Sequence, residues 1–480
     1  MTVLVIDVGT SGLRAAVVGS DLSVDHVTYR PFPPDTPFPG LVEVDAVRLG
    51  ALAVEVASAS LAAGGPVEAL GITNQRATSV VWDRTTGEPV GPALGWQDLR
   101  TIVECLTLAG QGLRFAPNQS ATKLGWLVDT YDRERARDLC FGTVDSWLIW
   151  VLSGGALHVT DRSNAAVTGL LRPDAGDWDD HVLDVLKIPR RMLPTLVDSS
   201  GVLGTAIVLD GAPAIAGLAG DQQASLIGQG GVLPGRAKAT FGTGGMLDLC
   251  IGPEPPAAAA RGKAGTFPIV AWSIGGEITW GVEAIMLTAG ANVEWLVEDL
   301  GILASPAESH EVAQQCADAG GVVYVPALLG LGTPAWDYGA RGALLGLTRG
   351  SGRPEVVRAV LEGVAQRGAD LLEAAEADTG ITIETLRVDG GMSDNPTFVQ
   401  ALADATGRRV EVSPVVEATT VGAGILAGLA VGVWSNLQET AETWSPRATV
   451  EPGERLDRER WRDALARASA WIPDLSALDF

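Results

Sequence analysis

The first apolar run covers residues 3–6 and ends at an acid, Asp7. Four small residues follow, Gly9-Thr10-Ser11-Gly12, and a second apolar run covers residues 13–18. Two such runs around a small-residue turn predict a β-hairpin with a carboxylate at its tip. Gly9 and Gly12 let backbone N–H groups come close to a ligand, and Thr10 and Ser11 add hydroxyls. The same pattern returns near residue 240: a strand over 236–241, the turn Gly242-Thr243-Gly244-Gly245, then Met246 and a further strand. A third glycine turn, Asp389-Gly390-Gly391, ends another strand and precedes a helix starting near Asn395.

Between these turns the pattern alternates. Prolines 31, 33, 34, 37 and 39 make a loop, because proline suits neither a helix interior nor a central strand. Asp45 is placed to cap a helix. Strands are predicted over 70–73 and 78–82, flanking Asn74-Gln75-Arg76, and a helix over 146–152. A small-residue apolar run, 212–220, leads into Asp221. Long helices are predicted over 354–378 and 395–405. The apolar stretch 420–434 is short and rich in Gly and Ala, which reads as a packed helix and not a membrane span.

The chain has 480 residues, too many for one small core, so two domains are expected, 1–228 and 229–480, with a cleft between them. Its formal net charge of -24 argues against nucleic acid and anionic membranes as partners, since the long-range field repels both. It leaves a nucleotide open, because local backbone amides and a metal ion hold phosphates. Cys105, Cys140, Cys250 and Cys316 are far apart, with no CxxC spacing, and read as thiols, not a disulfide framework or a zinc site. His26, His158, His181 and His310 show no metal spacing. No basic region precedes an apolar stretch at the N-terminus, so a cytoplasmic protein is expected.

Asp221 follows Gly220 and opens a predicted helix. Such an Asp is either a helix cap or a carboxylate held rigidly at a cleft. The surrounding motifs favour the second reading. Gly71-Ile72-Thr73-Asn74-Gln75-Arg76, Gly142-Thr143-Val144-Asp145-Ser146-Trp147, Ala219-Gly220-Asp221-Gln222-Gln223, Pro326-Ala327-Leu328-Leu329-Gly330 and Arg387-Val388-Asp389-Gly390-Gly391 stand in the order in which they stand in one family. With them the chain resembles the FGGY carbohydrate kinases, and among these the glycerol kinases, from about residue 3 to residue 434. The second family signature fits throughout 342–362. The first fits in part: Ser120, Lys123, Trp126 and Asp129 are present, but Asn118 and Thr130 depart from it.

The resemblance implies an α/β chain of two ribonuclease-H-like domains of the hexokinase and actin type, with nucleotide against the second domain and acceptor against the first. It implies ATP and Mg²⁺ as cofactors, with homodimers common in the family. Asp221 is then the general base, and Asp7 acts on Mg²⁺ through water. Thr10, Ser11, Arg14 and Thr243 match positions near the ATP phosphates, and Gly290, Gly391 and Asn395 positions around the nucleotide. Arg76, Trp96, Asp221 and Gln222 match the acceptor pocket. There the pattern also breaks. Ala77 stands where a Glu is expected, Asn118 where a Tyr is, and Met246 where a Phe is, and the loop over 102–117 is short. Losing a charged partner for a buried hydroxyl costs roughly 1.5–3 kcal/mol, so an acceptor larger than glycerol, a four- or five-carbon polyol or open-chain sugar, is expected. Glycerol, with a water in place of the Glu, and a ketose are alternatives, although Ile72-Thr73-Asn74-Gln75 differs from the Met-His-Gly-Gln of the xylulokinase branch. A catalytically weak sugar sensor on the same fold is the alternative of another class.

Overall fold

The computed structural model describes residues 1–415 and 417–479. Thirteen strands form one long sheet. Its first half runs Val24–Pro31, Gly12–Gly19, Thr2–Val8, Ala69–Asn74, Ala214–Gly220, Ser200–Thr205. Its second half continues Phe267–Ile274, Glu277–Met286, Gly245–Gly252, Ala237–Phe241, Thr385–Asp389, Arg409–Val412, Ala448–Val450. A single backbone pairing, Ser200 with Ile274, carries the sheet from one half to the other. Each half holds an antiparallel hairpin extended by a third strand on one side and by two parallel strands on the other. One topology is thus used twice, the ribonuclease-H-like arrangement of the hexokinase and actin folds.

The opening run is apolar at successive positions because both faces of its strand are covered. Leu4, Ile6 and Val8 face one core, which takes in Leu49, Ala53 and Val56 of the helix Ala46–Gly64. Val3 and Val5 face another core, closed by Ala423 and Ala427 of the helix Ala418–Ala430. Asp45 caps the Ala46–Gly64 helix, its side chain accepting from the Arg48 amide. That helix has the length and composition of a membrane span, but its apolar stripe lies in the first core. The long helices run over Arg353–Thr379 and Pro396–Thr406. Cys105, Cys140 and Cys250 are buried, and all four cysteines are free thiols.

Two expectations shift. The strand expected over 78–82 is Val80–Asp83. Ala77 sits in the left-handed region, with φ of 62°, and this kink delays the strand. The edge strand Val24–Pro31 runs up to the first proline of the loop and ends there, as an edge strand can.

The helix Ala418–Ala430 belongs to the second half in sequence yet packs on strands of the first. It also crosses the helix Asp221–Gly228 at backbone contact distance. A Cβ at Gly422 would overlap the Ala224 carbonyl oxygen, and one at Gly228 the Ala418 carbonyl oxygen. Gly422→Ala should therefore destabilise the fold by about 1–3 kcal/mol or more. Gly201→Ala, with nothing near its Cβ, should stay within about 0.5 kcal/mol of the parent. Thermal denaturation of the two variants checks the contrast, and equal melting temperatures would contradict it.

Candidate active site

Asp221 begins a helix at the end of the strand Ala214–Gly220. Its side chain accepts from the Gln222 amide at 2.8 Å and faces Arg76 Nε at 3.3 Å. The Arg76 stem passes over Gly220, where a Cβ would crowd its Cγ and Cδ. The same guanidinium donates from Nη2 to Glu283 of the second half at 2.6 Å. One arginine is therefore held between carboxylates of the two halves. Burial pushes the Asp221 carboxyl above its ordinary range. Arg76 and the Gln222 amide pull it back, and Glu283 adds a smaller upward push.

Beside this trio lies a second buried group. Lys238 donates to Gln222 Oε1 at 2.6 Å and to Thr240 Oγ1 at 3.1 Å, and pairs with Asp248 at 2.8 Å. Lysine has no acceptor, so the Gln222 oxygen must face it, which turns the amide NH₂ the other way. Lys238 and Asp248 are fully buried. Asp248 is the cross-strand neighbour of both Lys238 and Glu283. Sequence reasoning missed all three. The signal was present as single charges within otherwise apolar strands, Ala237-Lys238-Ala239 and Leu247-Asp248-Leu249.

Asp7 lies at the tip of the first hairpin, buried, with Arg14 directly across from it. Thr420 donates to Asp7 at 3.3 Å and Arg14 Nε stands 3.7 Å away. Burial raises the Asp7 carboxyl to about 6, against the pull of Arg14 and with a push from Asp221, so the two acids feel one another. Arg14 also binds Glu417 and lies over the Tyr29 ring. Its guanidinium is thus shared between carboxylates. Among the described residues no group of three or more His, Cys, Asp or Glu is arranged to hold a metal ion. A single carboxylate fits magnesium that keeps most of its waters and does not fit a closed protein cage.

The other predicted positions fall into two groups. Trp96 donates from its indole to Thr10 Oγ1 at 3.3 Å, which joins the expected acceptor wall to the first turn. Buried Lys123 donates to the Trp96 and Asn118 carbonyls at 2.9 and 3.3 Å, and Ser120 Oγ to the Ala77 carbonyl at 2.9 Å. The Asn118 and Ser11 side chains are exposed. Met246 lies on the hairpin opposite Thr240, one residue pair from its turn. Thr243 is exposed at that turn.

The turn is locked to the start of the next helix: Gly290 N donates to the Gly242 carbonyl and Ala289 N to that of Thr243, both at 2.8 Å. A Cβ at Gly290 would press on the Gly242 oxygen, so close backbone packing alone accounts for that glycine. Gly391 faces open space, and the crowded neighbour is Gly390, over the Phe241 backbone. Asn395 caps its helix through the Phe398 amide and donates to Ser309 Oγ at 2.9 Å, so both ends of its side-chain amide are engaged.

Comparison with known proteins identifies the family. The N-terminal domain of the FGGY family of carbohydrate kinases matches residues 2–228, and its C-terminal domain matches residues 237–431. Glycerol kinase 2 of Thermotoga maritima is 42% identical, the alignment covering 98% of this chain and 99% of the relative. Glycerol kinase of Aromatoleum aromaticum is 41% identical with the same coverage. Among solved structures, Plasmodium falciparum glycerol kinase with ADP superposes with a TM-score of 0.89 at 26% identity, over 100% of this chain and 99% of that one. A xyloylose kinase from Brucella ovis gives 0.86 at 26% identity, over 100% of both chains. With two ribonuclease-H-like halves, paired glycine hairpins and matches along nearly its whole length, this chain belongs to the FGGY family of carbohydrate kinases.

Proposed function

We propose that this kinase transfers the γ-phosphoryl group of ATP to a primary hydroxyl of a small polyol or open-chain sugar, and that it favours a four- or five-carbon polyol over glycerol. Residues 1–228 form the acceptor side and residues 229–480 the nucleotide side. The observation that carries this reading is the position of Asp221, anchored by Arg76 where the halves meet, next to a pocket residue reduced to Ala77. The relatives' names support glycerol-like acceptors, and the ADP in the Plasmodium falciparum structure supports the nucleotide.

The acceptor oxygen attacks the γ-phosphorus, its proton passes to Asp221, and ADP leaves. The base must be ionised to take that proton. Burial opposes ionisation, and Arg76 with the Gln222 amide restores it. The Gln222 NH₂ donates to an acceptor hydroxyl, while Trp96 covers its C–H face. The turns carrying Thr10, Ser11 and Thr243, with Arg14, close on the phosphates, and Gly290, Gly391 and Asn395 border the nucleotide. Bound through water at Asp7, Mg²⁺ would neutralise phosphate charge during transfer. Closure of the halves on one another excludes water that would otherwise compete as acceptor.

Asp221→Asn should lower kcat by about 10²–10⁴-fold, the usual contribution of a positioned base. In the parent enzyme, kcat/KM should fall on the acid side with an apparent pKa above 3.8, the ordinary carboxylate value, because burial raises the base. A coupled ADP-release assay across pH reads both. The same assay on glycerol, tetritols, pentitols and ketoses should give a higher kcat/KM for a four- or five-carbon polyol than for glycerol. Glycerol as the best acceptor would refute the altered pocket, and tight sugar binding with no turnover would favour a sensor.

A further inference from the structure

We infer that Asp248 is a specificity-determining residue of the acceptor pocket, accepting a hydrogen bond from a hydroxyl that glycerol is too short to present. This rests on the proposed preference for a longer polyol.

Alternation along the strand Gly245–Gly252 places Asp248. Leu247 and Leu249 face the core of the second half, so Met246 and Asp248 share the opposite face. Met246 occupies an expected acceptor position. Asp248 lies two residues further from the glycine turn, about 7 Å along the strand. A longer acceptor anchored at Asp221 has its extra carbons to place, and this face holds polar groups from both halves.

The hydrogen bonds in this cluster do not close. Lys238 donates to Gln222 and Thr240 and pairs with one Asp248 oxygen. Both Asp248 oxygens are buried without a hydrogen-bond partner; Oδ2 meets only the Lys238 charge, and Oδ1 meets no cation among the described residues. Arg76 likewise uses Nε and Nη2, while its Nη1 is buried and unpartnered. Arg76 and Asp248 lie close enough for the charge of each to act on the other. A counter-ion for Lys238 needs only one carboxylate oxygen. That role explains neither the free Oδ1 nor the free Nη1, and a buried polar atom left unpaired is destabilising. Acceptor hydroxyls supply what both lack, a donor for the carboxylate and an oxygen for the guanidinium. Asp248 would thus add, beside Glu283, a second negative charge from the second half near the arginine that Ala77 leaves short of one in the first.

The test is kinetic. Asp248→Asn keeps the shape and removes the charge, and Asp248→Leu removes both. For each, kcat/KM is measured on glycerol and on the best four- or five-carbon polyol, with thermal melting alongside. The ratio of long to short acceptor should fall about ten- to a hundred-fold, mainly through KM for the longer one. A folded Asn variant that keeps the parent's ratio would reduce Asp248 to a counter-ion and overturn the inference. A second arm needs no variant: the parent enzyme is assayed on the preferred polyol and on its deoxy analogues, each lacking one hydroxyl remote from the phosphorylated end. One of these should lose at least tenfold in kcat/KM, and equal rates on all would overturn the inference even where the variants fail to fold. Should the parent enzyme prefer glycerol from the outset, the proposed acceptor range fails first, a result separable from either of these.

Discussion

A single guanidinium sets the electrostatics of this molecule's centre. Arg76 meets Asp221 from its own half and Glu283 from the other; Arg76 and Glu283 are largely withdrawn from water, and Asp221 keeps 29% of its side-chain surface exposed. Without the cation, two carboxylates would repel each other at low dielectric, and one would take up a proton. Removing one partner of the buried Arg76–Glu283 pair costs about 3–5 kcal/mol, because the remaining charge is left uncompensated. The arrangement therefore ties electrostatics to architecture: the group that favours an ionised Asp221 also joins the two halves. Gly220 serves both ends, giving room to the arginine stem and starting the helix that carries Asp221.

The rest of the fold brings that centre to the glycine turns of the two hairpins. Duplicated topology places one glycine hairpin in each half. The helix Ala418–Ala430 then binds the halves through small residues and presents Thr420 to Asp7 from its first turn. Close crossing at Gly422 and Gly228 fixes how near the helix carrying Asp221 stands to the hairpin carrying Asp7. The upward push of Asp221 on the Asp7 carboxyl is the electrostatic trace of that proximity. Lys123 does comparable work within the first half, holding the backbone of Trp96 and Asn118 from a buried position.

Local signals carried most of the architecture into the sequence. Apolar runs around glycine turns mark the hairpins, and Asp45 and Asn395 mark helix starts, because each feature is decided within a few residues. Asp221 and Arg76 stood out in the sequence for a different reason: they sit inside motifs. Lys238, Asp248 and Glu283 did not, since a charge in a strand reads as solvent-facing until the register shows that it points into the junction of the halves. Nor could sequence show that the amide of Asn395 is already engaged, or that Ala77 is held in a left-handed conformation that delays the next strand. These depend on contacts between residues far apart in the chain.

The position of the acid limb in an Arg76→Met variant tests the central role of the guanidinium most directly. Lower activity alone would not separate the proposed acceptor binding from control of the proposed base, but the pH of half-maximal kcat/KM does. Loss of the cation leaves Asp221 exposed to burial and to Glu283, so the limb should move to higher pH than in the parent enzyme. A limb that stays where it was, in a variant that folds and turns over, would contradict the account.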